Sequence, residues 1–416
     1  MSGVAIGIDL GTSGVRAALV DAAGDPVAFA AVPIALARRR EPQAWWQAAG
    51  EGLDALRGKA AFGSVRALAV DGTSGTVLPV DRAGTPLAPA SLYNDPAPAA
   101  AVARIAAAAP EDSAAHGAAS PAAKALDWRG HAGMAWVLHE ADWLAGQFCG
   151  RYGVSDENCA LKTGYDPRIR CWPAWLHAAG LDVACLPRVQ PPGAPLAPVR
   201  PEVAARFGLP RETLVASGTT DGCAAFLATG ACGIGEGVTS LGSTLTIKLL
   251  SDRPLFAPHY GIYSHRLGDR WLPGGASNTG GAALARHFDA AALARLSAAI
   301  DPARASGLDY YPLPAPGERF PVADPAMPPR ETPRPADDAA FLHGLLEGIA
   351  RIEALAYRRL AELGAPPVQS VRSVGGGAGN AVWTALRARH LGVAMLAPRA
   401  QEPAVGVAGL ALRGTA

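Results

Sequence analysis

Residues 6–16, I-G-I-D-L-G-T-S-G-V-R, constrain this chain more than any other stretch. An apolar run, Val4–Asp9, reads as a strand ending on a carboxylate. Gly11-Thr12-Ser13-Gly14 make a tight turn, and a second apolar run, Val15–Val20, returns. Strands joined by so short a turn pair antiparallel. A carboxylate at a strand end beside a turn of small residues suits a metal–phosphate group. Mg²⁺ takes oxygen ligands and keeps several waters. Phosphates take backbone N–H donors, which Gly11 and Gly14 leave open to close approach. An ordinary hairpin with an Asp-Gly style turn has the same local pattern, so this stretch alone leaves both readings open.

The rest of the chain repeats the pattern. A third strand, Pro26–Pro33, follows the turn Ala23-Gly24-Asp25. A helix over Pro42–Lys59 carries Trp45, Trp46, Leu53 and Leu56 on one face. Strand Val65–Val70 then runs into Asp71-Gly72-Thr73-Ser74. The alanine-rich stretch 96–125 is part helix and part loop, a helix over Gly133–Leu144 contains His139, and loops lead to Pro210. In the second half, strand Leu214–Gly218 leads to Thr219-Thr220-Asp221 and a helical run to about Thr229. Strands Glu236–Leu241 and Leu245–Leu250 then flank Gly242-Ser243-Thr244. Two strand–small turn–strand units point to a duplicated core with one phosphate loop per half. A proline-rich loop follows over 311–338, then a long helix, Ala339–Leu363. Strand Val371–Val374 enters the glycine run Gly375–Gly379 and Asn380. A helix from Ala381, strand Val393–Ala397 and a last helix from Glu402 complete the chain.

At 416 residues the chain exceeds one compact core, so two domains are expected. The net charge of +1, with no basic stripe, argues against nucleic acid or an anionic membrane as partner. None of the six cysteines forms a C-x-x-C pair or has zinc spacing, so they read as reduced thiols of a cytoplasmic protein. The N-terminus lacks the charged region of a signal peptide. The apolar run 214–234 is broken by Thr219, Thr220 and Asp221 and reads as core rather than membrane span.

Several groups could carry chemistry. The glycine run at Gly375–Gly379, between strand and helix, fits close approach of a nucleotide or simply a tight turn. It lies late in the chain and lacks the acid that a dinucleotide fold places about twenty residues on. A Walker A motif is absent, because the segment before Gly58-Lys59 lacks the first glycine. Asp221, at a strand–helix junction, is either a helix N-cap or a general base toward a sugar hydroxyl. Asp71, Thr73, Ser74 and Asp95 suit polyol recognition and equally suit turns.

Taken together these motifs resemble the FGGY family of carbohydrate kinases, in the actin, hexokinase and heat-shock ATPase superfamily. I-G-I-D-L-G-T-S-G-V-R resembles the first phosphate motif and S-L-G-S-T the second. D-G-T-S-G-T-V-L-P-V-D-R-A-G-T-P-L with Y-N-D resembles the sugar segment, and G-T-T-D-G-C-A-A the stretch with the catalytic aspartate. G-G-A-S-N-T-G-G and G-E-R-F-P resemble the inner-loop signatures, and G-G-G-A-G-N with Trp383 the adenosine motif. The sugar segment and Ser155–Pro167 are most similar to the short D-ribulose kinases; xylulose and glycerol kinases usually carry glutamine with histidine or arginine there. Gly75 stands where serine is common and Ser243 where threonine is common.

The resemblance implies an α/β fold of two actin-like (ribonuclease H-like) domains around a cleft. Residues 1–225 plus 402–416 would bind sugar and 226–401 nucleotide. It implies ATP and Mg²⁺ as cofactors and γ-phosphoryl transfer to the terminal hydroxyl of a ketopentose, D-ribulose first. Asp221 would be the base. Ser74, Thr73 and Asp95 would bind substrate with Asp221 and Asp9, and Asp9 would hold the metal. Gly11, Thr12, Ser13, Gly242, Ser243, Thr244, Gly376, Gly377 and Asn380 would hold ATP. A kinase for L-ribulose, xylulose or a glycerol-like polyol, a catalytically silent sugar-binding regulator, and an ATPase driving another protein are the alternatives.

Overall fold

The structure, a computed structural model, describes residues 3–58 and 62–414. Lys59, the expected end of the first helix, lies outside them, as do residues 415 and 416, the expected end of the last helix.

The first unit comprises residues 1–230, 265–268 and 399–416. It opens with β1 (Val4–Gly11), β2 (Gly14–Val20), β3 (Pro26–Pro33), α1 (Pro42–Arg57) and β4 (Val65–Gly72). There follow β5 (Val77–Val80), α2 (Ala99–Ala108), α3 (Pro121–Asp127), β6 (Trp136–His139) and α4 (Glu140–Cys149). Next come β7 (Val154–Asp156), α5 (Trp175–Ala178), β8 (Arg188–Gln190), β9 (Pro195–Pro198), α6 (Pro201–Phe207), β10 (Leu214–Thr220) and α7 (Asp221–Ala228). The second unit, 231–264 and 269–398, carries β11 (Glu236–Leu241) and β12 (Leu245–Leu249). Strand β13 (Ser264–Leu267), whose residues 265–267 are counted with the first unit, and β14 (Arg270–Ser277) precede α8 (Gly281–Ala285), α9 (Ala290–Ser297) and α10 (Asp338–Glu362). Then come β15 (Ser370–Val374), α11 (Ala381–Leu391) and β16 (Ala394–Leu396), and α12 (Pro403–Gly414) closes the chain in the first unit.

Each unit is built on one sheet with the same plan. The first has strand order β3-β2-β1-β4-β10-β9 and the second β13-β14-β12-β11-β15-β16. An antiparallel hairpin, β1–β2 or β11–β12, continues into parallel strands, β4 and β10 or β15 and β16. The duplicated core is therefore real. Central strand β1 is apolar on both faces, as a strand covered by helices on each side must be. On one side α1 buries Trp45, Leu53 and Leu56, with Pro42 at its first turn.

On the other side α12 packs unusually close. A Cβ on Gly7 would lie 1.8 Å from the Ala404 carbonyl oxygen, and one on Gly406 would lie 1.9 Å from that of Ala224. Glycine is required at both because backbone meets backbone there. This docking ties the end of the chain to α7. The second unit has its own core, in which α10 buries Phe341, Leu345 and Ile349. Within it Glu353 takes two hydrogen bonds from Arg387 and one from Thr239.

Three expectations need correction. Residues 136–139 form strand β6, and α4 starts only at Glu140. Trp136 and Val137 favour a strand, and the segment pairs with β5 in the register Val77↔His139. His139 is accordingly the N-cap of α4 rather than a residue within a helix. The first unit runs past residue 225 to Gly230, because 225 falls inside α7; it resumes at Arg399 rather than 402. Among the described residues no helix is long and apolar enough to cross a membrane.

Candidate active site

The carboxyl ends of three parallel strands bring acids together in the first unit. Strand register sets Asp9 of β1 beside Asp71 of β4, and Asp71 beside Thr219 of β10, with Asp221 opening α7 just beyond. Asp9 is buried, and Arg16, across the hairpin, donates to it at 3.1 Å. Burial pushes the Asp9 carboxyl up more than Arg16 holds it down. Asp71 is fully buried and no protein N–H or O–H donor reaches either of its oxygens. Burial and the charges of Asp9 and Asp221 push it well above the aspartate range. Asp221 accepts the Gly222 N–H at 2.7 Å.

A fourth acid, Glu140, was not expected from the sequence. It is the first residue of α4, buried, and accepts the Thr73 N–H at 2.6 Å. It lines a cavity of about 210 Å³ with Gly11, Thr12, Thr73, Tyr93 and Asn94. That volume is below the usual range for drug-sized or nucleotide ligands and fits a small polyol. The sugar-segment loops around it are pinned. Arg40 clamps both oxygens of Asp95, which also accepts the Leu92 N–H. Buried Lys124 donates to the carbonyls of Gly75 and Leu92, and burial pulls its ammonium down to about 8. Behind Asp221, Asn158 donates to Thr219 while Asp156 holds the backbone of 158 and 159.

In the second unit the turn Gly242-Ser243-Thr244 joins β11 to β12. Its carbonyls at 242 and 243 accept the N–H groups of Gly281 and Ala282 at the start of α8. Among the described residues, no protein acceptor takes the N–H of Ser243 or Thr244, nor that of Thr12 or Ser13 in the first turn. Glu318 of G-E-R-F-P accepts from Ser277, Asn278 and Tyr311, so the two inner-loop signatures form one buried joint. In the glycine run, a Cβ on Gly377 would strike the Trp383 ring at 2.5 Å, whereas one on Gly376 would meet nothing within 4 Å. Packing thus explains Gly377 and does not explain Gly376, where open backbone suits an approaching ligand. Asn380 caps α11 through Trp383 N–H and donates to Ser297.

The profile of the FGGY family of carbohydrate kinases, N-terminal domain, matches residues 4–118, and that of the C-terminal domain matches 237–415. The xylulose kinase of Streptomyces rubiginosus is 30% identical over 450 residues, spanning 95% of this chain and 85% of its own. The chain belongs to the FGGY family of carbohydrate kinases. The xylulose kinase of Streptomyces coelicolor is 29% identical over 453 residues, 95% of this chain and 85% of its own. The crystal structure of xylulose kinase from Rhodospirillum rubrum superposes with a TM-score of 0.84 at 26% identity, covering 99% of this chain and 90% of that one. This FGGY kinase is therefore a sugar phosphotransferase with two actin-like α/β units.

Of the residues singled out in the sequence, the fold gathers Asp9, Asp71 and Asp221 at the strand ends and Gly11, Thr12 and Thr73 around the small cavity. It does not bring Asp95 to the cavity wall: Tyr93 and Asn94 stand there, and Asp95 is the loop's clamp. The Ser74 hydroxyl is buried and unpartnered, which suits a ligand hydroxyl. The Asn380 side chain is spent on its helix, leaving its backbone for other contacts. The acids fit a divalent cation, since Arg16 is the one ion-pair partner of Asp9 among the described residues and Asp71 has none.

The buried Asp71 has a consequence for stability. Its folded pKa lies above the ordinary value, so its stabilising contribution is complete at low pH and is lost as pH rises through the folded pKa. Asp71→Asn removes that loss. The variant should gain on the wild type in urea midpoints as pH rises from the ordinary aspartate pKa toward the raised folded one, by about 1.4 kcal/mol per pH unit in that window. A gap that shrinks with rising pH contradicts the assignment.

Proposed function

We propose that this FGGY kinase transfers the γ-phosphoryl group of ATP to the terminal hydroxyl of a ketopentose in the cytoplasm. The observation that carries the reading is Asp221 at the mouth of β10, beside Asp9 and Asp71, in the same unit as a cavity of polyol size. Bound Mg·ATP supplies the phosphoryl group and the charge that offsets the acids. The protein's part is positioning and proton removal. Thr73, Tyr93, Asn94 and Ser74 orient the sugar, and Asp221 accepts the proton of the attacking hydroxyl. In the first unit the N–H groups of Thr12 and Ser13 take phosphate and Asp9 holds Mg²⁺; in the second the N–H groups of Ser243 and Thr244 take phosphate and the open backbone at Gly376 receives the nucleotide.

D-ribulose is the first substrate choice, from the likeness of the sugar segment and of Ser155–Pro167 to short D-ribulose kinases. D-xylulose is the second, favoured by the names of the relatives. The test is a panel of D-ribulose, L-ribulose, D-xylulose, glycerol and gluconate, scored by kcat/KM from coupled ADP release. The reading expects a ketopentose at least ten-fold above glycerol and gluconate, a gap of about 1.4 kcal/mol in transition-state binding. A preference for gluconate or glycerol overturns it.

Asp9→Ala should lower kcat about 100-fold and shift the Mg²⁺ titration of turnover to higher concentration, with sugar KM much less affected. An unchanged Mg²⁺ dependence counts against the metal role.

A further inference from the structure

We infer that Glu140 contacts the sugar directly and sets which polyol this kinase accepts, an inference that rests on the polyol reading of the same cavity. Among the described residues lining that cavity, Glu140 carries the one carboxyl and Arg39 the one guanidinium. Its side chain reaches the wall across Gly72, where a Cβ would sit 2.9 Å from the Glu140 Cγ. One oxygen is held by the Thr73 N–H, at the start of the sugar segment. The N-terminus of α4 is locked as well: Asp142 accepts the His139 N–H at 3.3 Å, and its carboxylate lies 3.1 Å from His139 Nδ1. The His139 Nε2 in turn lies 3.0 Å from the Thr163 hydroxyl. A side chain so fixed on a rigid helix start has the preorganisation that selective recognition requires.

Position adds to this. Glu140 is the first residue of α4 as Asp221 is the first of α7, and the charge of Asp221 is felt at Glu140. Burial pushes the Glu140 carboxyl well above the glutamate range. A sugar hydroxyl can hydrogen-bond to that carboxyl. A buried group built to hydrogen-bond a hydroxyl discriminates strongly against analogues that place it elsewhere, because the group is then left unpaired.

The test uses the full chain and whichever panel sugar the wild type turns over best, with Glu140→Ala and Glu140→Gln. Glu140→Ala should raise the sugar KM roughly 10- to 100-fold and leave the ATP KM within about two-fold. Glu140→Gln keeps an acceptor for Thr73 and the side-chain volume; it should fold as the wild type does and narrow the preference between ketopentose epimers. It decides the matter if the alanine variant fails to fold. Wild-type sugar KM and epimer ranking in Glu140→Gln overturn the inference, and so does a parallel rise of sugar and ATP KM. If the best sugar is not a ketopentose, the substrate reading falls while Glu140 is still judged on that sugar.

Discussion

Asp221→Asn is expected to lower kcat by about 10²–10⁴-fold, the usual contribution of a positioned general base. Asparagine keeps the shape and can still accept the Gly222 N–H that Asp221 holds at 2.7 Å. It cannot take a proton from the attacking hydroxyl. Because Asp221 is the half-buried first residue of α7 and not one of its fully buried packing residues, the fold should be largely kept: α7 buries Cys223, Ala224, Phe226 and Ala228 instead. The melting temperature and the affinity for ATP should therefore match the wild type. Steady-state ADP release and titration calorimetry with ATP check the two halves separately. Turnover within a factor of ten of the wild type removes Asp221 from the base role.

Gly406→Val should damage stability and activity together. The new Cβ would sit 1.9 Å from the Ala224 carbonyl oxygen and 2.7 Å from the Ala228 N, both main-chain atoms of α7. Neither can swing aside as a flexible side chain would, so α12 and α7 must separate. Overpacking of a tight core costs about 1–3 kcal/mol even where side chains can move, so about 3 kcal/mol is a fair expectation here. For a unit of this size that lowers Tm by roughly 6–12 °C. Since α7 opens with Asp221, kcat should fall as well. A Tm within about one degree of wild type contradicts the close packing described.

Much of this was legible in the amino-acid order because short-range rules governed it. The hairpin Val4–Val20 shows as two apolar runs about a small turn, and its counterpart at 236–249 likewise. The six ordered motifs identified the family before any coordinates. What escaped depends on tertiary partners. Strand β6 is only four residues long and is fixed by β5, nearly sixty positions earlier, so its periodicity merged with that of α4. Glu140 was hidden by the same misplacement, although H-E-A-D, an N-cap followed three residues later by an acid, marks a helix start. Asp95 read as a sugar ligand because its partner, Arg40, comes from a distant loop, and Lys124 reaches two carbonyls that no pattern announces.

The most direct measurement is the ratio of sugar phosphate to ADP formed by the wild type, by ³¹P NMR, with and without a ketopentose. One sugar phosphate per ADP, and ADP formation that depends on the sugar, is the result predicted for a phosphoryl group passed to a hydroxyl deprotonated by Asp221. Equal ADP formation with and without any sugar of the panel, and no sugar phosphate, contradicts it.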